Sequence, residues 1–370
     1  MIYLDYAATT PINKEVYESY CKLIGNYFAN SASIHKLGLK ANDFLEASRE
    51  SIANLIKVKK DEVIFTSGAT ESNNLAIFGV LNSYKNNGKR ILTSSIEHPS
   101  IMNLMRDLEN KGYEIIYLNV DKEGKINLKE LEELLKTNTL LVSVMHVNNE
   151  VGTINDINVI GELCHKYNAI FHSDITQSIG KIDVDLTNVD LASFSSHKLF
   201  APKGSGVLVK KQHIKLTPLF FGGGQEFNYR SGTSNWPTNV SMAKALRLIL
   251  NEKEKVYEHV KKLWDKLYNN LKDESSIHIN SPIGHSPYIF NFSINILTSE
   301  VMVHSLEERG FCVSTVSACG SKISHGSYVV KSMFDNDKYA SSSIRISLAY
   351  EVKEEDIDKL IKAIKDIIRK

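Results

Sequence analysis

Residues 189–204 read VDLASFSSHKLFAPKG, and this stretch decides how the rest of the chain is interpreted. The apolar run over residues 189–194 is typical of a buried strand, and the Pro-Lys-Gly sequence after Ala201 indicates a turn. Lys198 comes between the two, so we expect it at a strand end, where α/β proteins place ligand-binding loops. A lysine held there, partly buried and beside another cation, becomes a nucleophile toward aldehydes. By itself, however, the stretch fits an ordinary solvated lysine better.

A second apolar run ends in an aspartate. Residues 169–177 read AIFHSDITQ, which puts Asp174 at the end of a neighbouring strand. An aspartate and a lysine at adjacent strand ends are what pyridoxal phosphate requires, because the carboxylate keeps the pyridinium nitrogen protonated and the amine carries the aldehyde. The two stretches together therefore predict a pyridoxal phosphate site.

Strand-like and helix-like segments alternate over more than half of the chain. This alternation predicts an α/β fold with an open, mostly parallel sheet and helices on both faces, whose ligands lie beyond the carboxyl ends of the strands. We expect strands at 62–65, 90–95, 113–118, 139–147, 169–174 and 189–194, and helices at 14–23, 41–56, 100–111, 127–135 and 155–167.

The later part of the chain has a different pattern. Residues 206–209 are predicted to form an antiparallel strand at the sheet edge, and one long helical stretch is expected over 238–271. We expect a large domain over residues 14–255, and a smaller α+β domain made of residues 1–13 and 256–370. The short elements that predict the smaller domain are strands at 288–294, 311–313 and 344–348, and helices at 299–309 and 356–368.

Five polar features fall at or just beyond the predicted strand ends. One is the small-residue turn at 67–70, which leads into a helix and would seat an anion on the first amide groups of that helix. The same residues also fit an ordinary helix cap. The other four are His98, Asn149, Asp174 and Lys198. Their position at one edge of one sheet predicts a shared site.

Charge and cysteine content argue against several classes of protein. The chain has 44 Lys and Arg against 43 Asp and Glu, so no charge bias points to nucleic acid or to a membrane. Four cysteines without Cys-x-x-Cys spacing predict neither a metal site nor a disulfide framework. Without an apolar run of membrane-spanning length or a targeting segment, we expect a cytoplasmic protein. Cys21, Cys164 and Cys312 are predicted core residues.

Nine segments carry a more specific pattern. They are residues 3–11, 65–76, 97–98, 146–152, 174–180, 193–204, 222–233, 314–319 and 342–348. In this order they resemble the pyridoxal-phosphate-dependent cysteine desulfurases of the class V aminotransferase group, over nearly the whole chain. The resemblance implies a fold type I transferase, with a mainly parallel seven-stranded sheet flanked by helices and a smaller α+β C-terminal domain. It also implies a homodimer.

The resemblance assigns roles to the polar residues at the strand ends. Lys198 bonds to the aldehyde of pyridoxal phosphate, and Asp174 pairs with the ring nitrogen. Gln177 hydrogen-bonds the phenolic oxygen. His98 stacks on the ring and handles protons, and Asn149 lies beside cofactor and substrate.

The resemblance also assigns residues to bind the substrate carboxylate and the cofactor phosphate. Arg345 clamps the carboxylate with its planar guanidinium group. Thr233 reaches the phosphate from a second subunit. The remaining cofactor-binding positions are Ala69, Thr70, Ser195, Ser196 and His197.

Cys319 decides the predicted reaction. It lies in a segment rich in small residues, which is typical of a mobile loop. By the resemblance, bound L-cysteine loses its sulfur to the Cys319 thiolate, which leaves L-alanine and a persulfide. The sulfur then passes to an acceptor protein for iron–sulfur cluster assembly or tRNA thiolation.

Some positions depart from the family pattern. Val316 stands where glycine is usual before Ser-Ala-Cys, and Gly326 replaces a frequent proline. Ser196 stands where glycine or alanine is common, and residues 227–229 replace small or basic ones. Two alternatives stay open, namely selenocysteine lysis or another class V reaction, and a scaffold that has lost catalysis. The scaffold is disfavoured because it has no physical need for the predicted catalytic set.

Overall fold

The structure is a computed structural model that describes residues 1–85, 90–315 and 326–369. Its largest sheet has seven strands in the order β2-β8-β7-β6-β5-β3-β4, and every strand except β8 runs in the same direction. The predicted mainly parallel seven-stranded sheet is therefore confirmed. The strands are β2 Val63–Thr66, β3 Arg90–Ser94, β4 Glu114–Leu118, β5 Thr139–Ser143, β6 Ile170–Asp174, β7 Leu191–Ser195 and β8 Gly206–Lys210.

Helices cover both faces of this sheet. Successive residues of a strand belong to two different apolar cores: Val63 and Phe65 lie in one, and Ile64 between them lies in the other. The helices α3 and α4 pack on the face of Ile64, and α1, α2, α5, α6 and α7 pack on the other. These helices are α1 Lys14–Asn26, α2 Lys36–Leu55, α3 Ala69–Ser83, α4 Pro99–Asn110, α5 Leu128–Leu135, α6 Ile157–Lys166 and α7 Trp236–Asn251.

The antiparallel strand β8 is not at the sheet edge, so that prediction was wrong. It lies between β2 and β7 and is buried along its whole length. A near-continuous apolar run such as Val207–Val209 is typical of a strand covered on both faces, and this signal outweighs the antiparallel direction. The strand also passes very close to the turn before α3, because a Cβ at Gly206 would lie 2.6 Å from the Cα of Gly68.

A separate core joins the C-terminal elements to the start of the chain. Its four-stranded antiparallel sheet has the order β12-β13-β10-β9, and a two-residue strand β1 pairs with β11. Leu4 and Tyr6 are buried in this core beside the last helix. The elements are β1 Ile2–Tyr3, α8 Lys253–Leu271, β9 Ile277–Ile279, β10 Ile289–Ile294, α9 Ser299–Glu307, β11 Phe311–Cys312, β12 Ser314–Thr315, α10 Tyr328–Phe334, α11 Asp337–Ser341, β13 Ser343–Ser347 and α12 Glu354–Ile368.

The single long helix expected over 238–271 is two helices, α7 and α8, that meet at Glu252. The break lets α7 bury Met242 and Leu246 in the core of the large sheet while α8 buries Leu263 and Leu267 in the C-terminal core. The boundary at residue 255 between two domains remains a prediction, which these separate cores support. In the described part of the chain, no helix combines the length and apolar character needed to cross a bilayer.

A buried ion pair ties α2 to the loop that follows the large sheet. The guanidinium of Arg49 lies 2.5 and 3.0 Å from the two carboxylate oxygens of Glu226, and both side chains are almost fully buried. The backbone N–H of Phe65 donates to the same carboxylate at 2.9 Å. Glu226 and the next two residues, Phe227 and Asn228, all have positive φ, which costs free energy in non-glycine residues. The ion pair therefore stabilises a strained turn.

We predict that Glu226→Ala lowers the free energy of unfolding by about 3–5 kcal/mol, because it leaves the Arg49 charge buried without its partner. Denaturant unfolding of the two proteins measures this difference. The matched control is Asp107→Ala, which removes an exposed ion pair with Lys111 and should cost less than about 1 kcal/mol. Equal losses in the two variants would contradict the prediction.

Candidate active site

The carboxyl ends of the parallel strands open into a cavity of about 610 Å³, which we call the strand-end cavity. Strand β6 ends at Asp174, β7 ends at Ser195, and helices α3 and α4 begin at the same edge. This is where open α/β sheets bind ligands. Ten of the predicted site residues line the cavity: Ala69, Thr70, His98, Asn149, Asp174, Gln177, Ser195, His197, Lys198 and Arg345.

Lys198 is partly buried at the end of a short helical turn, three residues after β7. Its ammonium donates to the backbone carbonyl of Ala8 at 2.6 Å and to that of Ala7. Both carbonyls belong to the extended segment at the start of the chain. The amine is therefore directed into the cavity by a segment that is almost 200 residues away in sequence.

Asp174 is buried and held by two donors. Asn73 donates its amide N–H to one carboxylate oxygen at 2.8 Å, and the backbone N–H of Thr176 donates to the other at 2.9 Å. These bonds fix the plane of the carboxylate. Neither partner was predicted from the sequence. Asn73 lies within segment 65–76, which resembles the family, and this resemblance could have identified it.

His98 is the N-cap of α4 and lines the cavity. Its Nδ1 accepts the backbone N–H of Ser100 at 3.2 Å, so Nδ1 carries the lone pair and Nε2 the proton. Burial lowers the pKa of His98, and the charges of Lys198 and Arg345 lower it further against the opposing effect of Asp174. The imidazole is therefore neutral at physiological pH and able to exchange a proton.

The start of α3 offers the anion seat expected from the sequence. The backbone N–H of Ala69 donates to Ser195 Oγ at 2.7 Å, which joins the first helical turn to the end of β7. The positive end of the helix dipole faces the cavity there. Nearby His197 is held by Thr9 through Nδ1 at 3.1 Å, and burial with the charge of Lys198 lowers its pKa to about 4.

Two predicted cofactor-binding residues lie away from the cavity. The hydroxyl of Ser196 is buried and donates to the carbonyl of Pro202, so its side chain stabilises the turn after Lys198. Thr233 is exposed on a loop and does not line the cavity of its own chain. Its contact with the phosphate of a second subunit remains a prediction.

Arg345 lies on β13 and reaches the cavity from the C-terminal sheet. It donates to Asp5 Oδ1 at 2.8 Å and to the backbone carbonyl of Asn149 at 2.9 Å. Two buried polar atoms here, Arg345 Nε and Asn149 Oδ1, have no hydrogen-bond partner within the described residues. One is a donor and the other an acceptor, so together they match a ligand with a carboxylate and an ammonium group. The Asp5 ion pair was not expected from the sequence.

The cysteines differ from one another in exposure. Cys164 is buried in the large core, as predicted, and burial raises the pKa of its thiol. Cys21 is exposed, so its assignment to the core was wrong; α1 buries Val16 and turns Cys21 to solvent. Cys312 is only partly buried. Cys319, like Val316, lies outside the described residues.

Glu97 is fully buried directly before His98 and was missed as a charge-controlling residue. One of its oxygens accepts the Ser94 hydroxyl at 2.5 Å and the backbone N–H of Met145 at 2.9 Å, and the other has no partner within the described residues. Burial, reinforced by the charge of Asp174, raises the pKa of Glu97 to about 8. At neutral pH Glu97 is therefore protonated and adds no negative charge beside the cavity.

We predict that Glu97 makes a contribution to stability that is lost as pH rises from about 4.5 to 8. The folded protein keeps this proton while the unfolded chain has released it, so folding takes up a proton in that window. Glu97→Gln cannot titrate, so its free energy of unfolding should have a more positive slope with pH than that of the wild type between pH 5 and 8.5. Denaturant unfolding across this range measures both slopes. The exposed Glu258→Gln variant should keep the wild-type slope, and a wild-type slope in Glu97→Gln would refute the assignment.

Comparisons with known proteins agree with this geometry. The family model described as aminotransferase class-V matches residues 2–360. Among curated relatives, the cysteine desulfurase IscS of Buchnera aphidicola is 42% identical over 377 residues, covering all of this chain and 93% of the relative. A solved NifS-like protein superposes with a TM-score of 0.93 at 34% identity, covering 100% and 99% of the two chains. A structure of SspA in complex with cysteine gives a TM-score of 0.84 at 32% identity, covering 94% and 99%.

Proposed function

The chain belongs to the class-V aminotransferase family, and we propose that it is a cysteine desulfurase that converts L-cysteine to L-alanine and a persulfide. The observation that carries the proposal is the convergence of Lys198, Asp174 and Arg345 on one cavity. An amine, a buried carboxylate and a guanidinium are the groups needed to hold pyridoxal phosphate and an amino acid together.

The residues of the strand-end cavity fit pyridoxal phosphate. Lys198 supplies the amine for the aldehyde, and the two hydrogen bonds to Asp174 hold its carboxylate ready for the ring nitrogen. At the start of α3, Thr70 lines the cavity with Ser195 and His197, and the Ser195 hydroxyl, which accepts from Ala69, keeps its own hydrogen to donate to the phosphate. When bound, the cofactor supplies an electron sink that weakens the bond from Cβ to sulfur in bound cysteine.

The substrate is proposed to bind through the polar atoms left unpaired in the described structure. Arg345 Nε would donate to the carboxylate of L-cysteine, and Asn149 Oδ1 would accept from its ammonium group. Arg345 is pre-oriented by Asp5, so little conformational freedom is lost when the carboxylate binds. The neutral His98 is placed to move a proton at the substrate.

The sulfur acceptor in the protein is proposed to be Cys319. Its thiolate attacks the substrate sulfur, so that the thiol and L-cysteine become a persulfide and L-alanine with no other reactant. Thr315 and Gly326, the described residues on either side of the segment that contains Cys319, both line the cavity. Cys319 comes four positions after Thr315 in the sequence, and four residue steps of fully extended chain span at most about 14 Å.

Transfer to an acceptor for iron–sulfur cluster assembly or tRNA thiolation, and a cytoplasmic location, remain predictions from the sequence.

We predict that the purified protein releases equal amounts of sulfide and alanine from L-cysteine in the presence of a thiol reductant. Lys198→Ala and Cys319→Ser should each fall below about one hundredth of the wild-type rate, because each removes a group that takes part in bond making. Cys21→Ser is the matched control, since it removes an exposed thiol that the reaction does not use.

Full activity of Cys319→Ser would refute the persulfide step and favour lyase or transaminase chemistry. Preference for selenocysteine would assign the chain to selenocysteine lysis, and a wild-type protein that binds no pyridoxal phosphate would indicate a scaffold.

A homodimer is proposed to complete the site. Thr233 is exposed in the single chain and lies on the same loop as Phe220 and Phe221, whose apolar rings are 51% and 80% exposed. Two adjacent exposed aromatic rings form a larger apolar surface than a single exposed residue, and such patches mark surfaces where another chain binds. The second copy would then bring Thr233 to the phosphate.

We predict that Phe221→Glu shifts the protein toward monomer and weakens its binding of pyridoxal phosphate, because a charge must then be buried in the interface. Analytical ultracentrifugation and titration of the cofactor-free protein measure the two effects. Ile296→Glu places the same charge at another exposed apolar position, 55% exposed, and should change neither. A wild-type monomer with full cofactor affinity would refute the shared site.

A further inference from the structure

Lys181 follows β6 on the same turn as two residues already placed at the site. Asp174 ends β6, and Gln177 and Lys181 follow it in the turn over residues 176–181. The ammonium of Lys181 donates to Gln177 Oε1 at 2.8 Å. Gln177 lines the strand-end cavity, whereas Lys181 does not. Lys181 therefore lies behind Gln177 as seen from the cavity.

The surroundings of Lys181 are unfavourable for a charge. It is partly buried and lines a second cavity of about 610 Å³, together with apolar and aromatic residues such as Tyr6, Phe200 and Ile249. Its Nζ lies 5.8 Å from the centre of the Tyr288 ring, and its hydrogen-bond partner among the described residues is the neutral amide of Gln177. A lysine placed there loses solvation without a counter-ion to restore it.

Two nearby positive charges further disfavour the protonated form of Lys181. Burial lowers the pKa of Lys181 to about 7, and the positive charges of Lys198 and Arg345 contribute. An ammonium and a neutral amine both carry N–H groups, so Lys181 remains a donor toward Gln177 on either side of neutral pH.

The hydrogen bonds of Gln177 leave only one orientation for its amide. Lys181 donates to one end, so that end is the oxygen; the other end lies 3.0 Å from the carbonyl of Ala7, which only accepts, so that end is the NH₂ group. Ala7 also accepts from Lys198. The NH₂ group is thus fixed on the side of the Schiff-base lysine, with its second hydrogen available to a ligand.

We propose that Lys181 is a positioning residue that holds the Gln177 amide with its NH₂ group toward the cofactor. The proposal rests on the proposed function, in which Gln177 donates to the phenolic oxygen of pyridoxal phosphate. Without Lys181 only the bond to the Ala7 carbonyl opposes rotation of the amide by half a turn, a rotation that would present the amide oxygen to the phenolic oxygen. Lys181 contributes through Gln177 and touches neither cofactor nor substrate.

The test compares binding of pyridoxal phosphate to four variants of the cofactor-free dimer: Lys181→Met, Lys181→Arg, Gln177→Leu and the double variant Lys181→Met with Gln177→Leu. Lys181→Met should weaken binding by about tenfold, in line with loss of one correctly oriented hydrogen bond, and Lys181→Arg should restore it to within about twofold. The double variant should bind no more weakly than Gln177→Leu alone.

A spectroscopic readout separates positioning from folding. The visible absorption of the bound cofactor should titrate at higher pH in Lys181→Met, because an amide oxygen turned toward the phenolic oxygen favours the protonated form at Lys198. The melting temperature should remain within a few degrees of wild type. The matched control is Lys255→Met, which removes an exposed lysine on the wall of the same second cavity and should change neither binding nor titration.

Wild-type binding and titration in Lys181→Met would overturn the proposal, and so would losses that multiply in the double variant. Failure of the wild-type protein to bind pyridoxal phosphate would instead overturn the proposed function.

Discussion

The hydrogen bonds from Lys198 to the carbonyls of Ala7 and Ala8 hold the candidate site together, because they join parts of the molecule that the sheets alone would leave independent. Residues 1–10, here called the N-terminal arm, pair with β11 at one end, and Asp5 forms a bridge to Ser347 of β13 in the C-terminal sheet. At the other end Thr10 donates to the carbonyl of His197 in the helical turn after β7. The arm therefore fixes the lysine, and with it the C-terminal sheet, relative to the strand ends.

Local patterns were sufficient to predict the residues that lie directly at strand ends. Asp174 and Lys198 each follow a near-continuous apolar run, and parallel strands bring such ends to one edge whatever the rest of the fold. Residues whose role depends on tertiary contacts were missed. Asp5 was missed because its partner Arg345 is distant in the sequence, and Lys181 was missed because Gln177 was expected to act alone. Cys21 was misplaced since an apolar helical face does not reveal which surface covers it.

The electrostatic balance of the strand-end cavity follows from burial as much as from residue type. Two buried acidic residues, Glu150 in the cavity wall and Glu97 directly before His98, have their pKa raised by burial to about 7 and about 8. At pH 7 Glu97 is therefore mostly neutral and Glu150 is about half neutral, so the two carry less negative charge than exposed carboxylates would. The cations at the site outnumber the remaining anions, and such a site favours a ligand that carries phosphate and carboxylate groups.

The side chains of the candidate site are also held in place by the elements that carry them. The groups proposed to hold the cofactor come from strand ends and helix starts of the large sheet, where backbone hydrogen bonds restrict their motion. Arg345 comes from the other sheet, yet Asp5 of the N-terminal arm and the carbonyl of Asn149 fix two of its nitrogens. A substrate carboxylate meets a guanidinium that is already oriented and has its third nitrogen unpaired within the described structure. Because that orientation depends on the arm that also holds Lys198, the distance between substrate and cofactor groups is set by one continuous segment of backbone.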